Sequence, residues 1–142
     1  MLRIIRTGVY AIAIQNRKLL LIQQHKGLYK DVWDLPGGAI EFGEKPEQAL
    51  QRELLEETHM EFEELRFLDH FTTLHQVPKP NEPREPYEFH RLGLIYAVVG
   101  VREAKALPAH AAMTYRWWDL KELSGVPITS FVEYALERGY FG

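Results

Sequence analysis

The feature that most constrains this chain lies in residues 37–60, where a glycine pair precedes an acidic helical segment. The short segment Val32–Leu35 predicts a strand, and Pro36 with the two glycines ends it. Pro46 suits the first turn of a helix, because the N–H that proline lacks has no partner there. The spacing of apolar residues then predicts a helix from Pro46 to about Thr58.

Three glutamates of this helix, Glu53, Glu56 and Glu57, fall within an arc of roughly 100°, since each helical residue advances by about 100°. Like charges three or four residues apart repel by about 0.2–0.5 kcal/mol per pair. The last turn of a helix also favours cations over carboxylates. Arg52 can neutralise one of these carboxylates but not three. We therefore expect a bound cation on this face.

The all-oxygen character of this face indicates Mg²⁺, with Mn²⁺ as the second choice. Both ions bind carboxylate and carbonyl oxygens and leave positions open for substrate phosphates. Gly37 and Gly38 have no Cβ, so their backbone can approach such an ion closely. These parts suit phosphoryl chemistry, in which a metal-activated water or a carboxylate is the nucleophile. The alternative for glutamates alone is a solvated acidic face.

The longer pattern decides against that alternative, because it resembles the box of the Nudix hydrolase family over residues 38–60. Gly38 is followed, after five residues, by Glu44, and Glu44 is followed, after seven residues, by Arg52-Glu53-Leu54. One residue then separates Leu54 from Glu56-Glu57, and two residues separate Glu57 from the apolar Met60. The preceding Trp33-x-Leu-Pro-Gly-Gly and the Pro46-Glu47-x-Ala49 stretch also look like common family sequence. A match at this many fixed positions is specific, although it covers about a sixth of the chain.

The resemblance implies an α/β/α sandwich, with a mixed β-sheet flanked by helices, formed by a single domain over residues 1–142. It implies Mg²⁺-dependent hydrolysis of a nucleoside diphosphate linked to another group, with a small-molecule nucleotide, either a nucleoside triphosphate or a nucleotide sugar, as the partner. A catalytically weak nucleotide-binding or sensor module of the same fold is the alternative.

The resemblance also implies roles for individual residues. The metal ligands would be Glu53, Glu56, Glu57 and a backbone oxygen of Gly38 or Gly37. The catalytic set would be Glu53, Arg52 and Glu56, with Arg52 holding a glutamate by charge-assisted hydrogen bonds. Glu44 would support the loop and the start of the helix together with Gly37.

Two positions depart from the family pattern. The glycine that usually follows the helix is His59, which we expect to form a left-handed cap at a modest cost in stability. The acidic residues that many members carry before the late strand are replaced by Pro108-Ala-His-Ala-Ala-Met-Thr. We therefore expect the general base to be Glu53, with Glu103 and His110 as weaker alternatives.

The remaining elements follow from apolar patterns. Segments rich in Val, Ile and Leu or in aromatic residues predict strands at 4–14, 18–24, 61–76, 89–101 and 114–118, and helical spacing predicts a second helix within 127–139. Trp117 and Trp118 should point to opposite faces of their strand. Four prolines predict a surface loop over 76–87.

Substrate contacts are less constrained by the sequence. Arg84 in the proline loop and Arg91 are candidate contacts for phosphate, and Phe71 is a candidate for stacking on a base. Surface charge and core packing are the plain alternatives for these residues.

Composition excludes several other classes of function. The net charge of −3 gives no general attraction to nucleic acid or to anionic membrane, and no apolar stretch is long enough to span a bilayer. The N-terminal apolar segment is interrupted by Arg3 and Arg6, so we do not predict a signal peptide. The absence of cysteine excludes disulfides and thiol nucleophiles and fits a cytoplasmic location. Exposed aromatic residues allow a homodimer.

Overall fold

The computed structural model describes residues 2–25, 30–77 and 86–140. Within these ranges the chain forms nine strands and two α-helices. The strands are β1 (Leu2–Gln15), β2 (Lys18–Gln23), β3 (Trp33–Asp34), β4 (Gly37–Ala39), β5 (Met60–Glu61), β6 (Glu64–Val77), β7 (Tyr87–Val99), β8 (Arg102–Glu103) and β9 (Tyr115–Asp119). The helices are α1 (Pro46–Thr58) and α2 (Ser130–Glu137).

The main sheet has the strand order β3-β2-β1-β7-β6, and β4 and β9 pair with β1 and β2 respectively. Strands β1 and β7 are parallel, whereas β6 is antiparallel to β7, so the sheet is mixed. Along one edge of β1, Gly8–Tyr10 pair with β4, and Ile14 and Gln15 pair with β2. The strand β1 therefore supports the glycine pair that precedes α1.

Each face of the sheet carries its own core, because side chains alternate along a strand. On one face, Val9, Ala11 and Ala13 of β1 pack with Ala49, Leu50 and Leu54 of α1. On the other face, Tyr10 and Ile12 pack with Phe131, Val132 and Ala135 of α2. Trp117 contributes to the first core and Trp118 to the second, as predicted. This arrangement confirms the α/β/α sandwich with a mixed sheet.

The predicted elements differ from the observed ones in two places. The strand predicted over 61–76 is divided, because Met60 and Glu61 pair with β8 and not with the main sheet. Arg102 and Glu103, for which no strand was predicted, form β8. Most of the predicted proline loop, including Arg84, lies outside the described residues. No helix in the described ranges is long and apolar enough to cross a membrane.

Helix α1 ends at a left-handed residue. His59 has φ 59° and ψ 24°, and its N–H donates to the carbonyl oxygen of Leu55 at 3.0 Å. The imidazole ring packs edge-on against that of His110, with 5.6 Å between ring centroids. The predicted cap is confirmed, and the structure adds a ring contact that offsets part of its conformational cost.

Replacing His59 with glycine should raise the free energy of unfolding by about 0.5–1 kcal/mol, since glycine adopts positive φ without a steric cost from Cβ. The comparison is His59→Ala, which keeps the conformational cost and loses the ring contact, and should be less stable than wild type. Urea unfolding followed by circular dichroism measures both. A glycine variant no more stable than the alanine variant would contradict this account of the cap.

Candidate active site

Arg52 connects the loop after β4 to the acidic face of α1. Its Nε and NH2 donate to the two carboxylate oxygens of Glu44 at 2.8 and 2.9 Å. Its NH1 donates to Glu53 at 2.9 Å and to Glu56 at 3.4 Å. NH2 also donates to the carbonyl oxygen of Ala39 at 3.0 Å. One guanidinium thus fixes two glutamates of the helix relative to the preceding loop.

The pKa values of this cluster follow from the same contacts. The hydrogen bonds from Arg52 lower the pKa of Glu44 to about 2, and the bond with Glu44 raises the pKa of Arg52. Burial raises the pKa of Glu53, and Arg52 opposes that change. Glu44 is therefore ionised at neutral pH and paired with Arg52, and the supporting role predicted for it stays a prediction.

Glu57 is the buried carboxylate of the face, with 8% of its surface exposed. Its Oε1 accepts a hydrogen bond from the N–H of Gly37 at 2.7 Å. Burial raises the pKa of Glu57 well above its ordinary value, and the bond from Gly37 opposes this only in part. The charge of Glu53 raises it further. A carboxylate in this position is stabilised in its ionised form when a cation neutralises it.

The glycine pair brings β4 into close contact with both β1 and α1. Gly37 has φ 145°, and a Cβ there would lie 2.0 Å from the carbonyl oxygen of Val9. A Cβ on Gly38 would lie 2.7 Å from the carboxyl carbon of Glu53. The sequence analysis predicted that the backbone here approaches a metal ion, and that stays a prediction. In the structure the group that Gly38 meets is the Glu53 carboxylate.

These oxygen donors fit an open site for a divalent cation. Within residues 2–25, 30–77 and 86–140, no three His, Cys, Asp or Glu side chains are placed so that they hold an ion by themselves. Mg²⁺ commonly binds through one or two carboxylates together with water and substrate phosphates, so it needs no such closed set. The candidates for those one or two carboxylates are Glu53, Glu56 and Glu57, because Arg52 balances their charges only in part. A backbone oxygen of Gly38 stays the further ligand predicted from the sequence.

The loop before β9 closes the C-terminal end of α1. The N–H of Met113 donates to the carbonyl oxygen of Glu57 at 2.8 Å, and that of Ala104 donates to His59 at 3.0 Å. The Nε2 of His110 lies 3.0 Å from the carbonyl oxygen of Glu56. These contacts satisfy carbonyl groups that a helix end leaves unpaired. The loop therefore places His110 at the acidic end of α1.

The candidates for the general base differ in position. Glu103 is exposed on β8, opposite Met60 of β5. Glu53 lies on the acidic face with its Oε1 held by Arg52. A carboxylate with a raised pKa accepts a proton more effectively near neutral pH. Glu53 and His110 thus lie near the acidic end of α1 and Glu103 lies on β8, and the choice of Glu53 as the general base stays a prediction.

Arg91 lies in the core on the α2 side of the sheet, where only 5% of its surface is exposed. Its NH2 donates to Asp34 at 3.0 Å and its Nε to the hydroxyl of Tyr10 at 3.0 Å. The guanidinium also lies 3.7 Å from the ring centroid of Phe131. This location argues against the predicted contact with substrate phosphate, since the charged group is enclosed and paired.

Phe71 packs on the same side of the sheet, against Phe131 and Tyr134 at centroid distances of 5.2 and 4.2 Å. The α1 helix with its glutamates covers the opposite face. The predicted stacking of Phe71 on a base is therefore replaced by core packing in the structure.

Asp34 is the buried partner that the sequence analysis missed. It is 2% exposed and accepts hydrogen bonds from Thr129 at 2.7 Å and from Arg91. Burial raises the pKa of the adjacent Tyr10 to about 12. The sequence signal for this buried acid was the position of Asp34 inside the predicted strand Val32–Leu35. The network joins β3, β7 and α2 three residues before Gly37.

The family model for the NUDIX domain matches residues 4–135. The chain belongs to the NUDIX family. Among solved structures, the MutT NUDIX hydrolase from Burkholderia pseudomallei superposes with a TM-score of 0.72 at 24% identity, over 94% of this chain and 97% of that one. At 24% identity, the similarity to that structure establishes the fold of this chain.

Curated relatives match over shorter stretches. The chain is 38% identical over 66 residues to a methanol dehydrogenase activator of Bacillus methanolicus, which is 46% of this chain and 36% of that protein. It is 39% identical over 51 residues to a putative 8-oxo-dGTP diphosphatase of Bacillus subtilis strain 168, which is 36% of this chain and 33% of that protein. The aligned region thus spans about a third of the length of these relatives.

The raised pKa of Glu57 predicts a specific dependence of stability on pH and metal. Without divalent metal, the folded chain keeps a proton on Glu57 that the unfolded chain releases near its ordinary pKa of 4.5. The folded state then binds more protons, so this group makes the free energy of unfolding fall as pH rises above that value. Mg²⁺ favours the ionised form, so it should raise the melting temperature more at about pH 8 than at about pH 5.

Thermal unfolding in EDTA and in MgCl₂ at both pH values measures this effect. The matched control is Glu57→Gln, which removes the titrating group and should show a smaller Mg²⁺ stabilisation with less change between the two pH values. An equal Mg²⁺ effect in wild type and variant would show that Glu57 does not face the ion.

Proposed function

We propose that this protein is a Mg²⁺-dependent pyrophosphohydrolase that cleaves the diphosphate of a nucleoside diphosphate linked to another group. The observation that carries the proposal is the buried Glu57 carboxylate, which shares one helical face with Glu53 and Glu56. Arg52 forms ion pairs with Glu53 and Glu56, and Glu57 has no cationic partner among the described residues. A divalent cation with attached phosphates fits that imbalance of charge.

Each side chain would have a different role in such a reaction. Bound Mg²⁺ would neutralise phosphate oxygens and lower the pKa of a water molecule. Arg52 keeps Glu53 and Glu56 oriented by its hydrogen bonds. Because Oε1 of Glu53 accepts from Arg52, Oε2 is the atom that would take a proton from the attacking water. The N–H of Gly37 holds Glu57 in place on the other side.

The names of two curated relatives support the substrate class. One is the putative 8-oxo-dGTP diphosphatase, and another is an RNA pyrophosphohydrolase of Blochmanniella pennsylvanica, 38% identical over 53 residues, 37% of this chain and 32% of that protein. Both names describe cleavage between phosphates. For this chain a nucleoside triphosphate or a nucleotide sugar is the proposed substrate.

A nucleotide-binding or sensor module with weak catalysis is the second candidate. The observation that favours it is the loop of residues 104–114, which contacts the end of α1 and contains no Asp or Glu. The hydrolase and the sensor are distinguished by an assay for release of phosphate or pyrophosphate. The panel contains nucleoside triphosphates, dinucleotides and nucleotide sugars, each tested with Mg²⁺ and with EDTA. Tight binding with no metal-dependent turnover of any compound would favour the sensor.

Glu56→Gln and Glu57→Gln should each lower kcat by about a hundredfold or more, since each removes a charge that the metal requires. The control on the same helix is Glu47→Gln, an exposed residue of the first turn that lies away from this face and should retain wild-type activity. Steady-state kinetics on the best substrate of the panel, with circular dichroism to verify folding, measures the difference. Full activity in folded Glu56→Gln and Glu57→Gln would contradict the metal assignment.

A further inference from the structure

A tight turn at residues 41–44 displays an aromatic side chain in full contact with solvent. The N–H of Glu44 donates to the carbonyl oxygen of Glu41 at 3.0 Å, and the N–H of Glu41 donates to the Glu44 carboxylate at 2.8 Å. Gly43 takes φ 86°, which a glycine adopts without strain. Phe42 at the tip is 108% exposed. The turn is thus held on both sides, while its apolar ring covers no part of the core.

Phe42 borders an open groove of about 590 Å³. One wall is formed by residues 5–7 at the start of β1 and the other by residues 39–44. The N–H of Ile40 donates to the carbonyl oxygen of Thr7 at 3.0 Å and fixes the two walls relative to each other. The volume is within the range of about 300–1,000 Å³ that is typical of small-molecule sites.

The groove shares two lining residues with the hydrogen-bond network of Arg52. Glu44 and Ala39 line it, and both accept hydrogen bonds from Arg52. The same arginine donates to Glu53, whose carboxylate lies against Gly38. A substrate whose phosphates lie at the glutamates therefore has the groove beside it for its remaining part.

The groove combines apolar and charged groups. Phe42, Ile5 and Ile40 supply the apolar surface. Glu41 and Glu44 supply the charged groups. The side chain of Arg6 leaves β1 on the opposite face from that of Ile5, since Arg6 pairs in register with the enclosed Arg91. Aromatic rings bind nucleobases by stacking, with a loss of about 1–3 kcal/mol when the ring is removed.

We propose that this groove binds the nucleobase of the substrate, which stacks on Phe42. The inference rests on the proposed function, because it takes the position of the phosphates from the metal site. It names Phe42 as a substrate-binding residue in place of Arg91 and Phe71, which the structure encloses in the core.

A second copy of this chain is the competing occupant, since Ile5 and Phe42 are both exposed apolar side chains. Charged residues are depleted at the centre of protein–protein interfaces. Glu41 and Glu44 line the groove together with Phe42, so the groove is more charged than the centre of an interface between two copies would be.

Phe42→Ala should raise KM for the best nucleotide substrate about tenfold and leave kcat within about twofold, as expected for the loss of one stacking contact. The inhibition constant of inorganic triphosphate, which has no base, should not change. Phe42→Trp should restore the KM. The matched control is Phe67→Ala, because Phe67 is a half-exposed aromatic on β6, whose ring packs on Tyr96 far along the sheet from the groove.

Calorimetric titration with α,β-methylene nucleoside triphosphates in Mg²⁺ measures binding independently of turnover, and Phe42→Ala should weaken it by a similar factor. Unchanged KM and Kd in Phe42→Ala, in an enzyme that remains active, would overturn the groove assignment and leave the proposed function standing. A wild-type protein that neither binds nor hydrolyses any nucleotide would overturn both. Sedimentation velocity provides the last test, since a dimer lost in Phe42→Ala with unchanged KM identifies the groove as an interface between copies and also overturns the assignment.

Discussion

The hydrogen bonds of Arg52 are the interaction on which the rest of the site depends. One planar guanidinium holds Glu44 and Ala39 in the loop and Glu53 and Glu56 on the helix. A lysine at this position would supply a point charge without the fork of donors that reaches several acceptors at once. Because the loop and the helix share this contact, the wall of the groove and the acidic face are positioned together.

The local features of the site could be predicted from the sequence because neighbouring residues determine them. Pro46 sets the first turn of α1, and His59 provides a left-handed end, so both limits of the helix follow from the chain itself. The glycine pair likewise indicated a close backbone approach. The spacing of the glutamates fixes their shared face once the helix exists. For these reasons the carboxylate cluster was predictable as a group.

The long-range contacts could not be predicted in the same way. Arg91 meets Asp34 across 57 positions of sequence, and their meeting depends on the order of strands in the sheet. A single arginine in an apolar strand is compatible with an exposed position or with a buried pair, and the sequence does not choose between them. The loop at 104–113 is a similar case, because Met113 contacts α1 through its backbone N–H, which every residue but proline possesses.

The two parts of strand β1 differ in how substitutions there would affect the groove. Its first residues, including Ile5 and Arg6, are exposed beside the groove, whereas Gly8–Tyr10 are paired with β4 and enclosed. Substitutions among the exposed residues leave the backbone pairing of the strand intact, so they alter the groove without moving the glycine pair. One strand thus carries an exposed segment beside the groove and an enclosed segment that supports the glycine pair, so the surface of the groove can change while the backbone around the glycines stays in place.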